Sequence, residues 1–188
     1  MLKNKVLNNN KINFINYFII KKDRERIDPK LLLKTRTHKI YSYKEGDKKY
    51  LKEIVTWVAK TLKRERIIII PYPSTRKYKK RDNQLPFCIV KELSKIYDGW
   101  IDGSGILYRK YSLPKNTRNT QKQYKSLEIA NPNVLKGEKV LIFDDVYTSG
   151  SSLKAAIKKI KEAKPADVKS IAIARKVYIR DIPLSGIY

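Results

Sequence analysis

Helix-spaced apolar residues alternate along this chain with short β-branched runs. Between residues 51 and 62, Leu51, Ile54, Val55, Val58, Ala59 and Leu62 fall on one face at helical spacing, with Lys52, Glu53 and Lys60 elsewhere. Residues 66–71 carry four consecutive isoleucines and predict a strand buried on both faces, stopped by Pro71 and Pro73. A basic loop follows as far as Arg81. Residues 84–97 predict a second helix, aligned on Leu85, Ile89, Leu93 and Ile96, with Pro86 tolerable in its first turn. Residues 100–109 predict another strand, loosened by Gly103 and Gly105. Residues 110–133 have Asn and Pro breaks and little periodicity, so a long loop is expected there, of the kind that serves as a lid or binding loop. A strand at 139–143, a turn, a helix at 151–163 with Leu153, Ala156, Ile157 and Ile160 on one stripe, and a strand at 168–174 complete the pattern. Such alternation predicts an α/β fold, a parallel twisted sheet flanked by helices and joined by right-handed crossovers. Residues 1–39 are polar and basic around the apolar stretches 12–20 and 31–33, and read as an added strand or a small N-terminal subdomain ahead of a main domain at 40–188.

Composition then narrows the chemistry. No stretch approaches the roughly 20 apolar residues that span a bilayer, and the N-terminus lacks the apolar core of a secretory signal. A cytoplasmic protein with no membrane partner is therefore expected. Cys88 is the one cysteine and His38 the one histidine, which excludes an intrachain disulfide and a thiolate zinc site and argues against a Ser-His-Asp triad. Any catalysis must work through carboxylates, lysines, hydroxyls and backbone amides. A net charge of +25 points to a polyanionic partner, either nucleic acid or a phosphate-rich substrate. Biased usage of Lys, Asn, Ile and Tyr explains the same charge without a partner. The even spread of lysines favours that explanation; the denser clusters at 76–81 and 108–125 favour the polyanion.

The sharpest signal lies at residues 140–152, Val-Leu-Ile-Phe-Asp-Asp-Val-Tyr-Thr-Ser-Gly-Ser-Ser. Four apolar residues deliver a buried strand, Asp144 and Asp145 sit at its carboxyl end, and Thr148, Ser149, Gly150, Ser151 and Ser152 open a helix. Ligands of open α/β sheets bind at the carboxyl ends of strands. A loop of Gly and small hydroxyl residues lets backbone amides approach a phosphate, and the helix N-terminus adds a favourable dipole. Paired carboxylates would repel that phosphate unless they hold something else, such as sugar hydroxyls or a water-bridged magnesium ion. A phosphate loop beside diol-binding carboxylates describes a ribose 5-phosphate site. No Gly-Lys-Ser/Thr follows a Gly-rich loop, which sets aside a P-loop hydrolase.

This segment resembles the phosphoribosyl pyrophosphate (PRPP) motif of type I phosphoribosyltransferases, with Tyr147 where an aliphatic residue is commoner. The run from Ile67 to Ser74 and Arg81-Asp82-Asn83-Gln84 resembles the ComF competence-protein branch, although that branch's Gly is missing and its cysteine-rich zinc module has no counterpart here. The resemblance covers roughly residues 40–176 and implies a type I phosphoribosyltransferase fold with a small hood, the hood being the loop 109–133. It implies that Asp144 and Asp145 hold the ribose hydroxyls with Mg2+ nearby, and that the loop from Val146 and Tyr147 through Thr148, Ser149, Gly150, Ser151 and Ser152 holds PRPP at its 5′-phosphate. Pro73, Ser74, Thr75 and Arg76 would meet pyrophosphate, with Lys77 and Lys79 as substitutes for Arg76. Arg109 and Lys122 are hood cations expected to act with the two aspartates in catalysis, Arg118 and Lys110 being further choices. The activity implied is transfer of ribose 5-phosphate from PRPP to a nitrogenous base or amine. The alternative is a DNA-handling or regulatory protein on the same fold, and a homodimer is left open.

Overall fold

The computed structural model describes residues 12–19, 36–44, 46–75, 84–115 and 117–177. Its main sheet has five strands: β1 (Ile12–Ile19), β2 (Ile67–Pro71), β3 (Trp100–Asp102), β6 (Lys139–Tyr147) and β7 (Asp167–Val177). They lie in the order β1-β7-β6-β2-β3 and every neighbouring pair is parallel. Helices α1 (Arg36–Lys44), α2 (Leu51–Ala59), α3 (Leu85–Leu93) and α5 (Ser151–Lys161) flank it. A short helix α4 (Thr120–Ser126) lies between β4 (Leu107–Arg109) and β5 (Leu127–Ile129), which pair antiparallel as a separate ribbon. The parallel α/β class expected from the sequence is the one observed. Among the described residues, no helix is long and apolar enough to cross a membrane.

Strand alternation explains how one sheet builds two cores. Ile67 and Ile69 of β2, with Leu141 and Phe143 of β6, face Ile54, Val55, Val58, Ile89, Val90 and Leu93 of α2 and α3. Ile68 and Ile70, with Val140 and Ile142, face Leu153, Ala156 and Ile160 of α5 and Leu107 and Leu127 of the ribbon. Four isoleucines in a row are therefore four buried side chains, two per face, each contributing on the order of 1.5–3 kcal/mol by removal from water.

Four expectations change. The predicted strand at 100–109 is two strands in two sheets. Gly103 donates its N–H to the Ile69 carbonyl at 2.9 Å, and a Cβ there would lie 2.9 Å from that oxygen and 2.8 Å from Ile70 Cγ1. The chain leaves the sheet at this crossing, helped by the Asp102 carboxylate, which accepts the Ser104 N–H at 2.8 Å. The expected loop at 110–133 contains α4 and β5. The inward face of α4 is Gln123 and Ser126, so it shows no apolar period, and the Asn119 side chain caps it by accepting the Lys122 N–H at 2.9 Å. Strand β6 extends to Tyr147 because it pairs with β7 beyond the end of β2, and β7 extends to Val177 because it pairs there with β1. Helices α2, α3 and α5 stop two to four residues short of the expected bounds, at Ala59, Leu93 and Lys161.

Gly103→Ala should cost about 1–3 kcal/mol, the range for inserting a methyl into a filled site, read as a lower denaturant midpoint at unchanged slope. A midpoint equal to that of the parent would show that the crossing is looser than described.

Candidate active site

Strand β2 stops pairing with β6 at Pro71 opposite Phe143, and the Tyr72 N–H makes the last cross-strand bond, to the Phe143 carbonyl at 2.7 Å. Strand β6 runs on for four residues beside β7 alone, with Asp144 opposite Ala172 and Tyr147 opposite Arg175. A cleft of about 520 Å3 opens where β2 has ended. Its walls include Asp144, Asp145, Val146 and Ser152 on one side and Tyr72, Pro73, Ser74 and Thr75 on the other, with Lys44, Gln84 and Lys115 at its margins.

The two carboxylates differ in setting. Asp144 Oδ1 accepts the Asp145 N–H at 2.8 Å, and Asp145 Oδ1 accepts the Val146 N–H at 2.6 Å, so each carboxylate holds the amide that follows it. Burial, followed by the neighbouring Asp145 charge, pushes the Asp144 carboxyl up to about 8, against the pull of the Asp145 N–H, Lys44 and Arg109. Asp145 pairs with Lys44, whose Nζ lies 2.7 Å from Asp145 Oδ2.

Beyond Tyr147 the chain turns at Gly150, whose φ of 76° lies in the left-handed region and whose Cβ position would fall 2.7 Å from the Tyr147 ring. A side chain is excluded there on both counts. Thr148 and Ser149 are exposed, and the Ser149 and Ser151 hydroxyls lie 2.9 Å apart. Ser151 also donates its hydroxyl to the Arg118 carbonyl, which brings the segment before α4 against the start of α5. The Lys154 N–H to Gly150 carbonyl bond, 2.9 Å, begins that helix.

The hood cations do not gather as the sequence suggests. Arg109 is 3% exposed. It donates Nε to the Ser74 carbonyl at 2.8 Å, Nη2 to Tyr72 Oη and to Gln123 Oε1, both at 2.7 Å, and Nη1 to Ser126 Oγ. Lys122 lies exposed on the outer face of α4, because the helical turn that points Gln123 inward points its neighbour out. Arg76, Lys77 and Lys79 lie outside the described residues. Sequence reasoning missed Lys44, Lys115 and Gln123 as neighbours of the cleft region, and no motif marks any of them. Gln84, which accepts the Ser74 N–H at 3.0 Å, was visible only within Arg81-Asp82-Asn83-Gln84.

Among the described residues no cluster of three or more His, Cys, Asp or Glu could hold a metal. Two adjacent carboxylates, one paired with an ammonium, fit a magnesium ion that arrives with ligand oxygens better than a resident ion.

The raised carboxyl predicts a pH dependence of stability. Asp144 titrates near its ordinary value when unfolded and about 8 when folded, so the folded state binds the extra proton between those limits. Its contribution is fully present below the unfolded value and is lost as pH rises through 8. Asp144→Asn, which keeps the acceptor for the Asp145 N–H, should flatten this decline and melt a few degrees above the parent near pH 9. Parallel melting curves for the two proteins from pH 5 to 9 would contradict the assignment.

No curated protein sequence matches the chain. Among solved structures it is similar to a hypoxanthine-guanine phosphoribosyltransferase from Bacillus anthracis at 16% identity and a TM-score of 0.43, covering 79% of this chain and 78% of that one. It is also similar to a hypoxanthine phosphoribosyltransferase from Trypanosoma cruzi at 14% identity and a TM-score of 0.42, covering 79% and 75%. Residues 107–178, from β4 through the two aspartates and their loop to β7, match the phosphoribosyl transferase domain family.

Proposed function

We propose that this protein binds PRPP in the β6–α5 cleft and transfers its ribose 5-phosphate to a nitrogenous base or amine, releasing pyrophosphate. The observation that carries this reading is the juxtaposition in one cleft of Asp144, Asp145 and Ser152, the last residue of the Thr148–Ser152 loop, with the Tyr72–Thr75 strap opposite. In this assignment the loop amides, the Ser and Thr hydroxyls and the start of α5 hold the 5′-phosphate. Asp144 and Asp145 hold the ribose 2′- and 3′-hydroxyls, with the Lys44 ammonium leaving Asp145 as the ligand enters. Pro73, Ser74 and Thr75, continuing into Arg76, face the pyrophosphate.

Asp144 and Asp145 would hold Mg2+, which would supply charge neutralisation for departing pyrophosphate. The bond from the anomeric carbon to pyrophosphate oxygen breaks as a bond to the acceptor nitrogen forms, with positive charge developing on the ribose ring. The aspartates oppose that positive charge, while Lys44 and Lys115 lie at the margins where negative charge grows. The β4–α4–β5 element stands over the loop through the Ser151–Arg118 contact and so is placed to limit water. The family match over residues 107–178 supports phosphoribosyl transfer in general terms and does not select the acceptor.

A second reading has its own observation. Lys154, Lys158 and Lys161 are exposed at i, i+4 and i+7 on α5, beside exposed Lys122 and Lys125 of α4. Such a stripe suits a nucleic-acid backbone, and its signature would be affinity that falls steeply with salt.

Calorimetry of PRPP with Mg2+ tests the first reading. Saturable binding is expected, weakened about tenfold or more by Asp145→Asn through loss of a charge-assisted hydrogen bond, with pyrophosphate released when the correct acceptor from a nucleobase panel is added. Equal affinity in the folded variant removes the diol assignment, and absence of binding removes the function.

A further inference from the structure

Arg109 is a cation taken out of water with no carboxylate in salt-bridge reach among the described residues. Four of its five N–H donors are committed, all to neutral acceptors: the Ser74 carbonyl, the Ser126 hydroxyl, the Tyr72 hydroxyl and the Gln123 side-chain carbonyl. The guanidinium also lies 5.2 Å from the centre of the Tyr72 ring. Its acceptors close a network of their own, for Tyr72 Oη donates to Gln123 Oε1 at 2.9 Å, Gln123 Nε2 donates to the Thr117 carbonyl at 2.8 Å, and Ser126 Oγ donates to the Gln123 carbonyl at 2.7 Å.

Those partners belong to two parts of the chain that share no sheet. Tyr72 and Ser74 follow β2 and line the cleft, whereas Gln123 and Ser126 sit on α4. The strap after β2 is gripped at successive backbone groups. Ser74 gives its N–H to Gln84 and its carbonyl to Arg109, and the Thr75 carbonyl accepts the Leu113 N–H at 2.8 Å. A planar fork of donors reaches Ser74 on one side and Ser126 on another at once, which a lysine ammonium cannot do.

We propose that Arg109 is a positioning residue, one that fixes the Ser74–Thr75 strap against the α4–β5 element and so shapes the cleft wall facing Asp144 and Asp145. It acts through the Ser74 carbonyl and touches no ligand. The consequence for ligand affinity rests on the function proposed above; the fixing of the strap does not.

The test uses the full chain as Arg109→Lys, with Tyr72→Phe as a milder variant that removes a single hydroxyl. Amide hydrogen exchange is followed at Ser74 and Leu113, with Ile142 in β6 as the control, and affinity for magnesium pyrophosphate is measured by calorimetry. Exchange at Ser74 and Leu113 should quicken about tenfold or more in Arg109→Lys while Ile142 keeps its protection, in line with losing charged hydrogen bonds. Affinity should fall by a similar factor, and Tyr72→Phe should lie between. In turnover the rise in KM for PRPP should exceed the fall in kcat. Unchanged exchange at Ser74 and Leu113 overturns the proposal, as does quickened exchange with unchanged affinity. If the parent does not bind pyrophosphate, the functional reading fails and exchange alone decides the strap. If Arg109→Lys loses protection at Ile142 as well, Tyr72→Phe decides: local quickening supports the clamp, and none rejects it.

Discussion

Everything at this site depends on one mismatch in length between neighbouring strands. Strand β6 outruns β2: their pairing ends at Pro71 opposite Phe143, where β2 runs into the Pro71-Tyr72-Pro73 break. Tyr72, between them, supplies the last cross-strand donor. Past that point the backbone of β6 has β7 on one side and open space on the other, and the Asp144 and Asp145 side chains fold back to satisfy the next amides. The cleft is therefore a consequence of where a ladder stops. A continuous five-stranded ladder would have closed it.

Electrostatics decide what such a cleft can hold. The chain carries a net charge of +25, yet an acidic pair lines the cleft. Burial costs an unpaired carboxylate far more than a surface position does, and Asp144 answers by keeping its proton to about pH 8. Asp145 answers by taking Lys44. Tyr72, just beyond β2, has its hydroxyl pushed to higher pKa chiefly by burial, while the Arg109 charge pulls it back. These groups are held in compromise states that a ligand bringing both phosphate anions and a divalent ion would resolve.

The sheet was legible in the sequence because its strands are unambiguous where burial is two-sided: Ile67 to Ile70 and Val140 to Phe143 have no helical reading that survives their flanking breaks. The Gly150 turn was legible for a different reason, since a turn in the left-handed region restricts residue type. Helix α4 was not legible. Its buried face is built from Gln123 and Ser126, and a polar face has no hydrophobic period to detect. For the same reason Arg109 reads from sequence as one more cation in a basic stretch, and only the partners it meets from 35 and 37 residues away reveal it as buried. Gly103 was seen as a weakness in a strand, whereas it is the point where the chain presses on β2 and leaves the sheet.

Arg109 is buried and Asp144 lines the cleft, each within the other's electrostatic influence, and they do not form an ion pair. A fold concerned only with stability would join them, because a lone buried charge of either sign is expensive and pairing lowers both costs. Keeping them apart leaves the acid free to face the cleft and the guanidinium free to grip the strap. The Tyr72 and Gln123 hydrogen bonds absorb the cost of burying the cation without neutralising it. Its positive charge is thus retained beside a wall to which, in the function proposed here, pyrophosphate binds. An acid facing the cleft and a cation behind its wall are thus kept as separate groups by the hydrogen bonds that Arg109 makes to neutral acceptors.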